Sequence, residues 1–222
     1  MFRALPRLGS RLTILLVQCF AAPFGALVEW LWLGTTLTPG QLSGGALILC
    51  GVAVALWPGS PIPGMKIWSG AFWGTVAAFG QGVGAVLSRR AAEIDAMSGF
   101  RIDGATAAYQ RLIGGIAISA AVFFYVRFVR HGRAGDLKSG PLPWKAAIPW
   151  IVANGILGLV LGVACYQWAL SQTATGIVLS LVALTPLFTI PLAWVIEGDR
   201  PGWHAFAGAV LAVGGIIVLR LA

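Results

Sequence analysis

The chain has 222 residues, 58% of them hydrophobic and only 10% charged, with a mean hydropathy of +0.86. Soluble domains carry about 25% charged residues, so this composition excludes an ordinary water-soluble globule and describes a protein dissolved in lipid. The net charge is +8, but the basic residues sit in short gaps between apolar runs, as at Arg89–Arg90, Arg127, Arg130 and Arg133, which places them against lipid headgroups and not nucleic acid.

A bilayer-spanning helix needs about 20 mostly apolar residues. The sequence predicts seven spans, at about Leu12–Gly34, Gln41–Trp57, Ile67–Leu87, Ala105–Val126, Ala146–Leu170, Gly176–Ile196 and Trp203–Leu221. The runs are continuous and do not alternate, so they are helices and not barrel strands. The fold class expected is an all-α polytopic membrane protein. The first run follows Arg3, Arg7 and Arg11 as a signal peptide would. It is too long for one, it holds Gln18, Pro23 and Glu29, and a second span follows after a tight turn, so it reads as a span.

The joins carry breaker and charge chemistry. "WPGSPIPG" (57–64) is a Pro/Gly linker. "SRRAAEIDAMSGFRID" (88–103) mixes both signs and reads as a short interfacial helix. "RHGRAGDLKSGPLPW" (130–144) is the longest polar loop, and Trp144 and Trp150 after it fit an aromatic belt. Cys19, Cys50 and Cys165 lie singly in apolar runs and read as small hydrophobes, with no metal or disulfide implied. His131 and His204 stand alone, and "GQGVG" (80–84) misplaces the third glycine of a dinucleotide loop and lies inside a span. No cofactor and no enzyme are implied. A membrane-embedded enzyme would cluster His, Asp, Glu or Ser at one face, and Glu93, Asp95 and Asp103 have no His or Cys near them in sequence.

One short pattern is written twice. "GTTLTPGQLSGGALILCG" (34–51) returns as "GDRPGWHAFAGAVLAVGG" (198–215), and the pairs Gly34/Gly198, Gly44/Gly208 and Gly51/Gly215 are each 164 residues apart. Pro23 and Pro186 precede the two copies with a one-residue slip. Such order in register marks an internal repeat. Five spans separate equivalent points, and an odd number inverts the second copy in the membrane. Inverted repeats build secondary transporters, with the substrate near the midplane between the halves. Residues 65–222 make a complete five-helix copy, and residues 1–58 hold the last two helices of another. The chain is therefore expected to represent seven helices of a ten-helix, two-times-five frame, the first three belonging to a longer chain or supplied by a partner.

The segment "TGIVLSLVALTPLFTIPLAWVIEGDRPGWHAFAGAVLAVGGIIVL" resembles the end of an EamA repeat of the drug/metabolite transporter superfamily. "PFGALVEWLWLGTTLTPGQLSGGALILCGVAVAL" is similar to the same element of the first repeat, and "YQWALSQTATG", "VLSRRA" and "AAYQRLIGG" resemble other joins and helix ends of the second. One departure is visible. The family's turn usually reads Leu-Gly-Glu, and here it reads Leu33-Gly34-Thr35 in the first copy, while acids flank the second as Glu197 and Asp199. The resemblance implies a transporter of small metabolites, amino acids or drugs in the bacterial inner membrane, working by efflux or exchange through alternating access. The alternative is a non-transporting remnant or assembly module. Expected partners are a small-molecule substrate and the bilayer, with no nucleic acid, and a homodimer as a candidate assembly. Counting positive charges per loop would put the C-terminus outside. The resemblance implies a cytoplasmic C-terminus, and that orientation is followed.

Polar residues inside spans are costly and are the default functional candidates. Gln81, Tyr109, Arg111, Asn154, Tyr166, Gln18 and Glu29 are the substrate-cavity candidates. Arg111 fits a counter-charge for an anionic substrate group or for an acid. Glu29 fits a proton-coupling acid or a partner for Arg111. Asn154, Gly158, Gly162 and Tyr166 recur every four residues on the fifth span, as do Gly74, Ala78, Gln81, Ala85 and Ser88, nearly so, on the third. The small residues on both stripes are expected to serve close helix packing. Pro23 and Pro186 lack an amide donor and are the helix-kink candidates.

Overall fold

A computed structural model describes residues 4–57, 67–99, 102–129, 144–197 and 202–222. The elements are α1 (Leu5–Leu33), α2 (Pro39–Ala55), α3 (Ile67–Met97), α4 (Gly104–Val129), α5 (Trp144–Asn154), a π-helix (Gly155–Gly162), α6 (Val163–Gln172), α7 (Thr175–Val182), α8 (Thr185–Glu197) and α9 (Trp203–Leu221). No strand occurs among the described residues. Five stretches are long and apolar enough to cross a membrane: Leu12–Leu33, Ile67–Met97, Gly104–Tyr125, Ala147–Gln172 and Trp203–Leu221. Two apolar stretches, Pro39–Ala55 and Thr175–Phe188, are shorter. Large apolar side chains point outward along these helices; Phe72, Ile116 and Val210 are 62%, 68% and 73% exposed. Water would penalise such a surface and lipid does not. The chain is an integral membrane protein.

Local chemistry sets the ends. Pro6 sits in the first turn of α1, where a missing N–H costs nothing. Gly34 closes α1 in the left-handed region at φ 70°, its N–H donating to the Trp30 carbonyl at 3.1 Å. Only glycine adopts that turn without Cβ strain. The repeat partner of this glycine, Gly198, and the neighbouring Asp199 lie outside the described residues. A reciprocal cap starts α2: the Gln41 N–H donates to Thr38 Oγ1 at 3.2 Å, and the Thr38 N–H donates to Gln41 Oε1 at 3.1 Å. Thr38→Ala is expected to cost about 1 kcal/mol of unfolding free energy in detergent micelles, the usual worth of such a cap.

Three expectations change. The interfacial helix after Leu87 is not a separate element: α3 continues to Met97 and stops at Gly99, φ 77°. Residues 88–97 contain no Gly or Pro and several strong helix formers, so nothing breaks the helix earlier. The fifth span is not one α-helix, because eight residues at its centre are π-helical. Gly155, Gly158 and Gly162 lie in or bound that wider turn, where absent Cβ atoms remove the usual resistance to it. The sixth span breaks at Ala183–Leu184 into α7 and α8, just ahead of Pro186, which has no N–H to donate to the Val182 carbonyl; that carbonyl accepts from the Thr185 hydroxyl instead. α1, by contrast, runs through Pro23 as one helix.

The chain forms two units. The first holds Met1–Ala91 and Gln172–Ala222, the second Ala92–Ser171. In the first, α2 and α9 lie antiparallel and in backbone contact. A Cβ placed on Gly51 would fall 2.6 Å from both Ala212 N and Gly208 O, and one on Gly215 would fall 2.7 Å from Ile48 N and 2.8 Å from Gly44 O. One on Gly208 would collide with Gly51 O, and one on Gly44 would lie 3.0 Å from Gly215 O. Gly44 therefore faces Gly215, and Gly51 faces Gly208. Ile48 and Ala212, 164 apart, share one apolar cluster with Val52 and Leu184, and Ile216, 164 beyond Val52, packs on it. In the second unit Gly104 lets α4 approach the Ala164 carbonyl and Trp168 of α6. Asp103 accepts a hydrogen bond from Thr106 Oγ1 at the start of α4, which holds its carboxyl below the ordinary carboxylate range.

Candidate functional site

Three polar constellations stand out, two in the first unit and one in the second. In the first unit Gln81 Nε2 donates to Gln18 Oε1 at 3.1 Å, joining α3 to α1. Both residues are candidates on sequence grounds, and the structure brings them together. A hydrogen bond between amides inside an apolar span satisfies groups that lipid cannot. Further along α1, Glu29 is 2% exposed. Its Oε2 accepts the Thr175 N–H at 2.7 Å, and its Oε1 lies 2.8 Å from Arg89 Nε. The carboxylate thus sits at the start of α7 with a guanidinium beside it. A buried carboxylate is tolerated only with such charge and hydrogen-bond compensation, and the positive end of α7 adds to it.

The partner expected for Glu29 is Arg111; the partner found is Arg89. In the sequence Arg89 stands among headgroup-facing charges, because it directly follows an apolar run. Its mate is legible in part, since Glu29 is the only acid in α1. Thr175 carries no signal, because its contribution is a backbone amide. Between α1, α2 and α7 lies a small cavity of about 190 Å³, lined by Pro23, Gln41, Gly45, Gly176 and Ser180 among mostly apolar neighbours.

In the second unit the Arg111 guanidinium carbon lies 5.6 Å from the centre of the Tyr166 ring, a cation–π contact from α4 to α6. Arg111 also lines a groove of about 600 Å³ with Gly115, Ser119, Phe123, Phe124 and Val163. The groove is apolar apart from the guanidinium and the Ser119 hydroxyl. It suits a small solute with an anionic group and an apolar body. Tyr109 and Asn154 are exposed in this unit and join no cluster.

The glycine stripes divide. On α3, Gly74, Ala78 and Ala85 are buried, and a Cβ on Gly74 would meet Leu16 at 2.9 Å. On the π-helix, Gly158 and Gly162 are exposed, and their nearest neighbours, Asn154 Oδ1 and Leu157 O, belong to the same span. Close packing accounts for the first stripe and not for the second.

Residues 68–221 match the model of the EamA-like transporter family. The chain belongs to that family. This EamA-like chain is 29% identical over 90 residues to a protein of Streptantibioticus cattleyicolor named "Probable terminal-alkyne amino-acid exporter". The match covers 39% of this chain and 30% of that protein, so the chain spans under a third of the length of that curated relative. A chain of known crystal structure superposes with a TM-score of 0.70 at 21% identity, over 99% of this EamA-like chain and 70% of the other. That likeness is one of fold.

Proposed function

We propose that this chain is the larger part of a carrier that moves a small metabolite, an amino acid or a drug across a bacterial inner membrane, by efflux or exchange. The observation that carries the reading is the antiparallel seam of α2 and α9. There Gly44 faces Gly215 and Gly51 faces Gly208, and these four glycines are two pairs 164 residues apart. Helices that are repeats of one another and pack head to tail are what an inverted repeat produces. The fold match, which takes 99% of this chain and 70% of the other, suits seven spans of a ten-helix frame. In that frame residues 1–58 close the first repeat and residues 65–222 form the second, with a cytoplasmic C-terminus. Movement is a rocking of the halves about a central site.

The Arg111 groove is the substrate end of this proposal. Its guanidinium takes the anionic group and its Phe123–Phe124 wall the apolar body, with Tyr166 holding the arginine in place. An amino acid with an apolar side chain has this shape, and the relative's printed name agrees with it. The test is counterflow in proteoliposomes with a panel of amino acids, including ones with a terminal alkyne, and of drugs. Arg111→Ala is expected to lower flux about tenfold or more, the worth of one charge-assisted hydrogen bond, and Arg111→Lys less. Absence of counterflow for every solute, with the chain folded and inserted, overturns the proposal.

A further inference from the structure

Around Glu29 three helices close on one another. A Cβ on Gly82 of α3 would lie 2.8 Å from Gly25 N and 2.9 Å from Ala21 O of α1. One on Gly176 of α7 would lie 2.8 Å from Ala26 Cβ. One on Gly25 would lie 2.7 Å from Leu179 of α7 and 3.2 Å from Thr175. Nothing the size of a solute passes between backbones this close. One turn beyond Gly25, Glu29 reaches across all three helices, holding Arg89 of α3 and the Thr175 amide of α7.

α7 is an unusual element to hold this way. It has eight residues, and it is set off on both sides, by extended backbone at Ala174 and by the turn residues Ala183–Leu184. Its own N-cap, Ala174, supplies no side-chain hydrogen bond. The first turn is capped instead from α1, by a residue 146 positions away. A short rod with a joint at each end is tied at one end by charge.

We propose that Glu29, Arg89 and the Thr175 amide form a latch that holds this end of the first unit shut, and that α7 leaves α1 and α3 when the latch opens. Glu29 and Arg89 are then positioning residues, acting through α7 and not on the solute. The role in a transport cycle rests on the carrier reading above; the latch itself does not.

The test is segment-resolved amide hydrogen exchange on the full chain in lipid nanodiscs, without substrate. Glu29→Gln removes the charge and keeps an acceptor for the Thr175 N–H. Arg89→Gln removes the other charge, and Arg89→Lys keeps it. Thr175→Pro removes the donor and leaves both charges, at the cost of the buried Thr175 hydroxyl and methyl. The first residue of a helix accepts proline, and Ala174 before it already has ψ 137°, the extended geometry a following proline favours. Expected are exchange rates in residues 176–182 raised about tenfold or more by Glu29→Gln, Arg89→Gln and Thr175→Pro, with α2 and α9 changed less than about twofold. Arg89→Lys should stay near the parent. Unchanged exchange in α7 overturns the proposal. So does a rise shared equally by α2 and α9, which would make the pair a general prop of the fold. Should Glu29→Gln not fold, Thr175→Pro decides alone. Missing flux with a responsive α7 removes the carrier reading and leaves the latch; flux with an unresponsive α7 does the reverse.

Discussion

Alanine at Gly51, Gly208 or Gly215 is expected to destabilise the protein by about 1–3 kcal/mol each, the range for forcing volume into a filled core, while Gly214→Ala is expected to stabilise it slightly. The contrast comes from geometry. At the first three positions the new Cβ falls on backbone atoms of the opposing helix, at 2.8 Å or closer. Backbone within a packed helix cannot swing aside as a side-chain tip can, so α2 and α9 must separate. Separation exposes the Ile48–Val52–Ala212 cluster and loosens the whole seam. Gly214 stands beside Gly215 on α9, and a methyl group on its Cα would meet nothing within 4 Å. There alanine brings only its better helix propensity, about 0.5–1 kcal/mol. Reversible unfolding in mixed micelles measures both signs in one helix. Equal losses at Gly214 and Gly215 would mean that α9 does not seat on α2 in this register.

The second large effect is expected at Glu29. Glu29→Ala should cost about 3–5 kcal/mol, the loss found when one member of a buried ion pair is removed and the other is left without its counter-charge. Glu29→Gln should cost less, because its amide oxygen still accepts the Thr175 N–H. The acid is buried, at 2% exposure, and Arg89 Nε approaches it to 2.8 Å. The double variant Glu29→Ala/Arg89→Ala should lose clearly less than the sum of the two single losses, by about 0.5–3 kcal/mol of coupling. Additive losses in that cycle would mean that the two side chains act independently.

Much of the frame is legible in the sequence because lipid is a blunt solvent. It demands long apolar runs, and each of the seven runs is helical near its expected place. Breaks within runs are less legible. The π-helical centre of the fifth span leaves its residues apolar, so composition carries no sign of a wider turn. The end of α3 departs from expectation because charge ends only the apolar stretch, while the backbone continues to Gly99. Of the candidate site, Gln18 with Gln81 and Arg111 with Tyr166 come together as polar residues in spans should. Tyr109 and Asn154 do not, since exposure on a helix depends on neighbours that a single run does not specify. The partner of Glu29 escapes for a similar reason: pairing is decided where three helices cross, and the choice between Arg89 and Arg111 is not written in either helix.

The seam between α2 and α9 also restricts how the sequences of these two helices could drift apart. Each glycine there is seated against the main chain of the other helix, and main chain is the part that substitution cannot trim. A larger residue on one helix has no compensating change available on the other. The positions 44, 51, 208 and 215 are therefore bound to one another as sockets, whatever the rest of each helix becomes. The turns ahead of them are under no such constraint, and they have already parted: Thr35 follows Gly34 in one, and Glu197 precedes Gly198 in the other.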